Sequence, residues 1–312
     1  MSEKLPNYGG QALIEGVLMR GSRALAAAMR DPDGKIVVQT EPLQGIYTSK
    51  IAKLPFLRGL VILWDSLGLG MRYLTLSANV QTGEDEKLEG PAMYGTVALS
   101  LLIAVAIFFV APAALGHLLE GWLGISTWWS NFLEGLIRLG LMIGYIWLIG
   151  RMPEIARVFA YHGAEHKTIN AFEAGANLTP ENVSRYSLEH PRCGTSFLLT
   201  LILLSIILFA ALGPMPVFWR LASRVLLIPV LTGFAYEYIR WVANHLGNPI
   251  VRLLVRPNLA LQRLTTREPS LDILEVAITS FNAMLVLEKE LTGEASPIME
   301  TTIEQPIGGG SL

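Results

Sequence analysis

The segment YHGAEHKTINAFE, residues 161–173, holds the residues best suited to chemistry. Read as helix, it places His162 and His166 one turn apart on the same side, because a helix advances about 100° per residue. Two imidazoles so placed can share one divalent ion. Glu165 points within about 60° of His162, where it can polarise a metal-bound water without being a ligand. H-x-x-E-H is the residue order of inverzincin metallopeptidases, in which this division of labour holds. The same three residues also suit a solvated helix face, so the motif alone does not decide between the two.

A catalytic zinc takes three protein ligands and a water. The third must come from elsewhere in the chain. Glu173 shares the helix face but lies about 10 Å further along the axis than His166, which suits a supporting or substrate-binding role. Glu237 follows the apolar run VLLIPVLTGFAY and is the expected third ligand. A carboxylate so near a membrane needs a partner, and a salt bridge to Arg240 or Arg224 is the competing explanation. HPRC supplies a further pair, His190 and Cys193, at a spacing that can chelate zinc. With His162 and His166 they make a closed four-ligand structural site, whereas a carboxylate third ligand leaves an open, hydrolytic one. Cys193 as a nucleophile with His190 as its base is a further alternative, as is a small buried cysteine beside a capping histidine.

At the N-terminus, GGQALIEGVLMRG gathers glycines around Gln11, Glu15 and Arg20. It is not a P-loop, since the Gly-Lys-Ser/Thr ending is missing. Glu15 and Arg20 either pair with each other or face the same site as His162. Next, two short strand-like runs flank Asp31-Pro32-Asp33-Gly34 and predict a β-hairpin. A helical segment follows Pro55, and its polar residues Arg58, Asp65, Arg72 and Asn79 form one slowly drifting stripe. An acidic linker, QTGEDEKLEGP, ends this region.

The elements that position the site are membrane helices. Over 312 residues the chain is 52% hydrophobic and 16% charged, against about 25% charge in soluble domains. Spans are predicted near 94–115, 132–150 and 195–212, with a weaker fourth around 225–236. Glu134 and Arg138 in the second span are i, i+4 neighbours able to neutralise each other, and Trp122, Trp128 and Trp129 precede it as an interfacial belt. Lysine and arginine crowd the N-terminal region, the 151–194 loop and the segment after 240. The positive-inside rule therefore places both termini and that loop in the cytoplasm. Arg220 and Arg224 fit this topology poorly. Residues 268–291 predict an amphipathic helix with Leu274, Ala277, Ile278, Phe281, Met284 and Leu285 on its apolar face. No signal peptide is evident. Net charge is −2, giving no reason to expect a nucleic-acid partner. One cysteine precludes an internal disulfide.

The predicted architecture is mainly α: a polytopic helical membrane protein with about four transmembrane helices. Residues 1–52 form a cytoplasmic segment with the hairpin. Residues 53–90 are the amphipathic helix and linker. Residues 91–240 form the transmembrane domain with its 151–194 motif loop, 241–291 a cytoplasmic helical segment, and 292–312 a disordered tail.

The phrases GGQALIEGVLMRG, YHGAEHKTINAFE, HPRCGTSFL, IPVLTGFAYE and LQRLTTREP together resemble the YqhQ-like bacterial membrane proteins, a family named for a domain of unknown function. The resemblance runs from about Asn7 to Leu287. It implies a polytopic protein of the cytoplasmic membrane, of a kind described as predicted metal-dependent enzymes. By resemblance, the motif positions are Gln11, Glu15, Arg20, His162, Glu165, His166, Glu173, His190, Cys193, Glu237, Arg267 and Glu268.

The leading expectation is a divalent-metal hydrolase, with zinc as the metal and the bilayer as a constant partner. His162, His166 and Glu237 are then ligands and Glu165 the base. A non-enzymatic scaffold or regulator binding a protein or lipid headgroup is the rival, motivated by the two amphipathic helices. A transporter is weaker, because few intramembrane charges offer a pathway.

Overall fold

The structure, a computed structural model, describes residues 8–43, 54–82 and 91–293. The 83–90 part of the acidic linker and residues 294–312 of the expected tail lie outside the described residues, as does the Asp65 side chain.

Glycine and alanine recur in the first three strands, which build more than the expected hairpin. Strands β1 (Gly9–Leu13), β2 (Gly16–Arg20), β3 (Ala24–Arg30) and β4 (Ile36–Pro42) form one antiparallel sheet in sequence order. The predicted hairpin is its second half, paired from Ala24↔Pro42 to Arg30↔Ile36. β1 and β2 gave no clear alternating signal because both faces of the sheet are covered. Val17, Met19, Ala24, Ala26 and Ala28 belong to one apolar cluster. Leu13, Leu18, Leu25, Ala27 and Met29 belong to another on the opposite face. Alternation of side chains across the pleat thus feeds two cores rather than one core and solvent.

Helix α1 (Leu57–Thr82) covers the second face with Leu69, Tyr73, Leu76 and Val80. Its polar stripe finds partners: Arg58 pairs with Glu237 and Arg72 with Glu41. The first face is covered by α5 (Pro153–Glu173) and α11 (Leu271–Thr292). Leu274, Ala277, Ile278, Phe281 and Met284 of α11 are buried, as their spacing predicted, and Leu285 is half-buried. The result is a three-layer helix–sheet–helix body.

Among the described residues, three helices are long and apolar enough to cross a membrane. The first joins α2 (Pro91–Val105), a π-helical turn (Ala106–Val110) and α3 (Ala111–Leu123). The others are α4 (Thr127–Ile149) and α7 (Gly194–Ala211), with the short α6 (Pro180–Val183) between α5 and α7. The weak fourth span is a pair bent by 43°, α8 (Val217–Leu226) and α9 (Ile228–Asn244). An amphipathic α10 (Pro249–Thr265) then leads to α11.

Charges among these helices are buried together. Glu134 bonds Arg138 at 2.9 Å, as its spacing predicted, and also bonds Arg224 at 2.7 and 2.8 Å. Arg220 bonds Glu120 and the Ser130 hydroxyl, both at 2.7 Å. The two arginines that strained the charge-based topology therefore face inward, onto carboxylates. A buried charge is tolerable only with such partners.

Candidate metal centre

His162 and His166 sit on the α5 face turned away from the sheet, toward the loop before α7 and the end of α10. Their ring centroids are 4.4 Å apart. His162 Nδ1 lies 2.9 Å from the Thr265 carbonyl, and His166 Nδ1 lies 2.5 Å from the Leu188 carbonyl. A carbonyl oxygen only accepts, so each Nδ1 carries the proton and donates it. Thr265 ends α10, where helix carbonyls lack intrahelical partners. Both Nε2 lone pairs are thereby left facing the same space. Such a carbonyl-held N–H is the usual orienting contact of a metal-binding histidine.

The third donor is Cys193. Its Sγ lies 3.2 Å from His162 Nε2. Ligand atoms of His162, His166 and Cys193 all fall within 4.8 Å of one another. Cys193 is the N-cap of α7, and its sulfur accepts the Thr195 N–H at 3.4 Å. His166 is fully buried, and its Nε2 has no hydrogen-bond partner. An orphaned buried acceptor is costly, and a metal ion would satisfy it. Two imidazoles and a thiolate are a donor set suited to zinc.

The HPRC turn is held from behind. Gln262 accepts the His190 N–H at 2.9 Å and donates to the His190 carbonyl at 2.7 Å. The same carbonyl receives the Cys193 N–H. The His190 ring stands 5.6 Å from the His166 ring. Burial, with His166 and His162 nearby, pushes its imidazole down to about 3, so it is neutral. Of the expected closed four-ligand set, three members converge and His190 stands one layer back.

Glu165 is buried and projects to the sheet side of α5. A methyl group on Gly10 of β1 would lie 3.0 Å from its Cδ and would collide with the Leu18 carbonyl. Burial raises the Glu165 carboxyl to about 7, against the opposing pull of His162 and the Gly10 backbone. It is a buried acid poised near neutrality beside the histidines.

The remaining expected residues are placed elsewhere. Glu237 does not join the histidines. Arg58 grips both its oxygens, and the Phe56 N–H donates to it at 3.1 Å. The expected third ligand is thus engaged by a cation from α1, a partner 179 residues away that spacing could not foresee. Glu173 pairs with Arg192, which also reaches His190 Nε2 at 3.5 Å. Through Arg192 it lies one contact removed from His190. Glu15 pairs with Arg157 rather than Arg20, and accepts from the Tyr161 hydroxyl at 3.2 Å. Gln11 turns to the α1 face of the sheet, against Gly70. Arg20 ends β2, half-buried. Arg267 donates to the Gly150 carbonyl, and Glu268 holds the buried Lys167 at 2.6 Å.

Sequence reasoning passed over Gly163. A methyl group there would collide with the Arg267 carbonyl oxygen and lie 2.8 Å from Leu188 Cδ2. Only glycine lets α5 approach the 265–267 chain closely enough for His162 to reach Thr265. A glycine between the two histidines was the available signal.

The comparisons fit a family assignment. A family model described as "Protein of unknown function (DUF1385)" matches residues 54–287. This chain belongs to the DUF1385 family. Uncharacterized protein YqhQ of Bacillus subtilis (strain 168) is 37% identical over 298 residues, spanning 91% of this chain and 93% of that protein. No solved structure matches. In this DUF1385 protein, His162, Glu165, His166 and Cys193 lie inside the family match, whereas Gln11, Glu15 and Arg20 lie before it.

Proposed function

We propose that this chain is a membrane-embedded, divalent-metal-dependent hydrolase, with zinc held by His162, His166 and Cys193. The observation that carries the reading is the buried, unpartnered His166 Nε2 facing His162 Nε2 and Cys193 Sγ. Three protein donors leave a fourth position for water. A zinc ion held there would lower the pKa of that water toward neutrality.

The protein's own groups then divide the work. The Thr265 and Leu188 carbonyls fix the two imidazoles. Glu165, on the sheet side of α5 next to His162, would be the group to take up the water proton and pass it to the leaving atom. The hydrolysis so supported would join the water oxygen to an acyl carbon and break the bond from that carbon to an alcohol or amine, with the proton ending on the leaving atom. The site lies at one end of two candidate spans, because α5 follows α4 directly and Cys193 begins α7. The lysine and arginine distribution favours the cytoplasmic face.

Metal analysis of wild-type protein purified without chelator tests the reading. We expect about one zinc-class ion per chain, lost in His166→Ala. A metal-free wild type sinks it. A closed structural site is the second reading, favoured by the nearness of His190. Cyanide added to the cobalt-loaded protein separates the two, since it changes the cobalt spectrum only where a ligand position is open.

A further inference from the structure

The free edge of β1 runs beside the metal centre. In the order β1-β2-β3-β4, β1 and β4 are the two edge strands. Edges are usually blunted by charge or proline, since their open N–H and C=O groups invite another strand. β4 follows that rule: Lys35 precedes it, and it ends in Glu41 and Pro42. β1 reads GGQAL, with neither a charge nor a proline, and its Gly10 is exposed. A glycine inside a strand often marks the place where a second backbone comes close.

The register fixes which groups are open. Leu13 faces Gly16 across a two-residue turn. Gly9, Gln11 and Leu13 therefore turn their backbone groups toward β2, and Gly10 and Ala12 turn theirs outward. The Gly10 N–H faces the Glu165 carboxylate. Past Ala12, the Ile14 N–H donates to Ser77 Oγ at 3.2 Å. Between these two contacts, the Gly10 carbonyl and both backbone groups of Ala12 have no partner among the described residues.

Position ties this window to the histidines. Gly10 lies against Glu165 while Glu15 pairs with Arg157, so β1 and α5 run antiparallel and Ala12 stands near the level of His162. Around α5, at about 100° per residue, Ala160 and Ala164 face the core. His162 and His166 face away from it, and Glu165 stands on the flank between. A fifth strand, about 4.8 Å outside β1, would pass under that flank, between Glu165 and His162.

We propose that the substrate is a peptide in extended conformation, bound antiparallel to β1 as a fifth strand with the bond to be cleaved beside Glu165. The substrate assignment rests on the hydrolase reading. One peptide residue would exchange two hydrogen bonds with Ala12, and the residue two positions later would donate its N–H to the Gly10 carbonyl. Main-chain pairing of this kind binds a peptide through its backbone. The carbonyl of that later residue meets Glu165 in place of a free Gly10 N–H, which marks it as the reacting one. Water oxygen would join its carbon, the bond from that carbon to nitrogen would break, and the proton would end on the nitrogen. A carboxylic acid and an amine result.

Native mass spectrometry of the full-length, zinc-loaded protein in detergent reads metal, ligand and oligomeric state together. The probes are N-acetyl-tripeptide hydroxamates of alanine, leucine or phenylalanine, with acetohydroxamate as the control that has no peptide backbone. Wild type should bind at least one tripeptide hydroxamate more tightly than acetohydroxamate. Ala12→Pro removes one outward N–H and leaves the β2 ladder whole, as edge strands allow. It should weaken tripeptide binding about tenfold, the worth of about one unmade hydrogen bond, and leave acetohydroxamate binding unchanged. N-methylation of the first tripeptide residue removes the donor to the Ala12 carbonyl and should cost as much, with no change to the protein. Equal affinity for all the hydroxamates overturns the peptide assignment alone and leaves the hydrolase reading. So does a tripeptide preference that survives both Ala12→Pro and N-methylation. A dimer of wild type that Ala12→Pro abolishes assigns the edge to a second copy and also overturns the substrate role. Zinc that is not taken up, or zinc held without binding any hydroxamate, overturns the hydrolase reading, and with it the role as substrate.

Discussion

His162 Nε2 and Cys193 Sγ lie 3.2 Å apart, although 31 residues separate them in sequence. The contact joins α5, part of the sheet-covering layer, to the first turn of a candidate membrane helix. If it is half of a metal centre, the thiolate must be a ligand. Cobalt-loaded wild type should show a near-ultraviolet thiolate-to-cobalt charge-transfer band. Cys193→Ser should lose that band and bind metal about 10–100-fold more weakly or worse, at least as large a loss as removing a contact that orients a ligand. An unchanged spectrum would exclude the sulfur.

Glu237 gives the opposite expectation. Arg58 and the Phe56 N–H occupy its carboxylate. Glu237→Gln should therefore keep full metal content, while loosening the contact between α1 and α9. Elemental analysis beside a melting curve reads both. Loss of metal without loss of stability would restore Glu237 as a ligand.

Gly163→Ala adds a single methyl group where the Arg267 carbonyl already stands. Overpacking of this kind costs about 1–3 kcal/mol. Because α5 must retreat to make room, metal affinity should fall together with the melting temperature. A variant as stable and as metal-rich as wild type would show that the close approach is not needed.

Glu134→Gln removes the carboxylate bonded by Arg138 and Arg224. Breaking a buried pair on one side costs about 3–5 kcal/mol. Thermal unfolding in detergent should show a drop of that order. Metal content of the folded fraction should not change, because none of these three residues touches the site. A neutral effect would mean that the aromatic faces around Arg138 and Arg224, chiefly Phe209, suffice for the charge.

What could be read in advance was what repeats locally. Helical periodicity gave α1 and α11, apolar length gave the candidate spans, and i, i+4 spacing gave His162–His166 and Glu134–Arg138. What could not be read depends on chain segments meeting. Cys193 stands beside His162 only because Gln262 clamps the turn before α7. Arg58 reaches Glu237 across most of the chain. β1 and β2 were passed over because a sheet covered on both sides loses the alternation that marks a half-solvated strand. The Nδ1 partners of the histidines are backbone carbonyls, which any residue would supply.

The covering of that sheet has a temporal side. Ser280 of α11 bonds the Val17 and Ala26 carbonyls, and Glu288 receives the Ser22 and Arg23 N–H groups. These partners are separated by up to 266 residues. Chains emerge from the ribosome N-terminus first, at about 5–20 residues per second. The sheet is therefore made first and completed last. Its alanine-lined face waits without its α11 cover while every candidate span is synthesised. A ribosome stalled before Phe281 would leave a chain whose apolar sheet lacks its α11 cover, which is the form most in need of a chaperone.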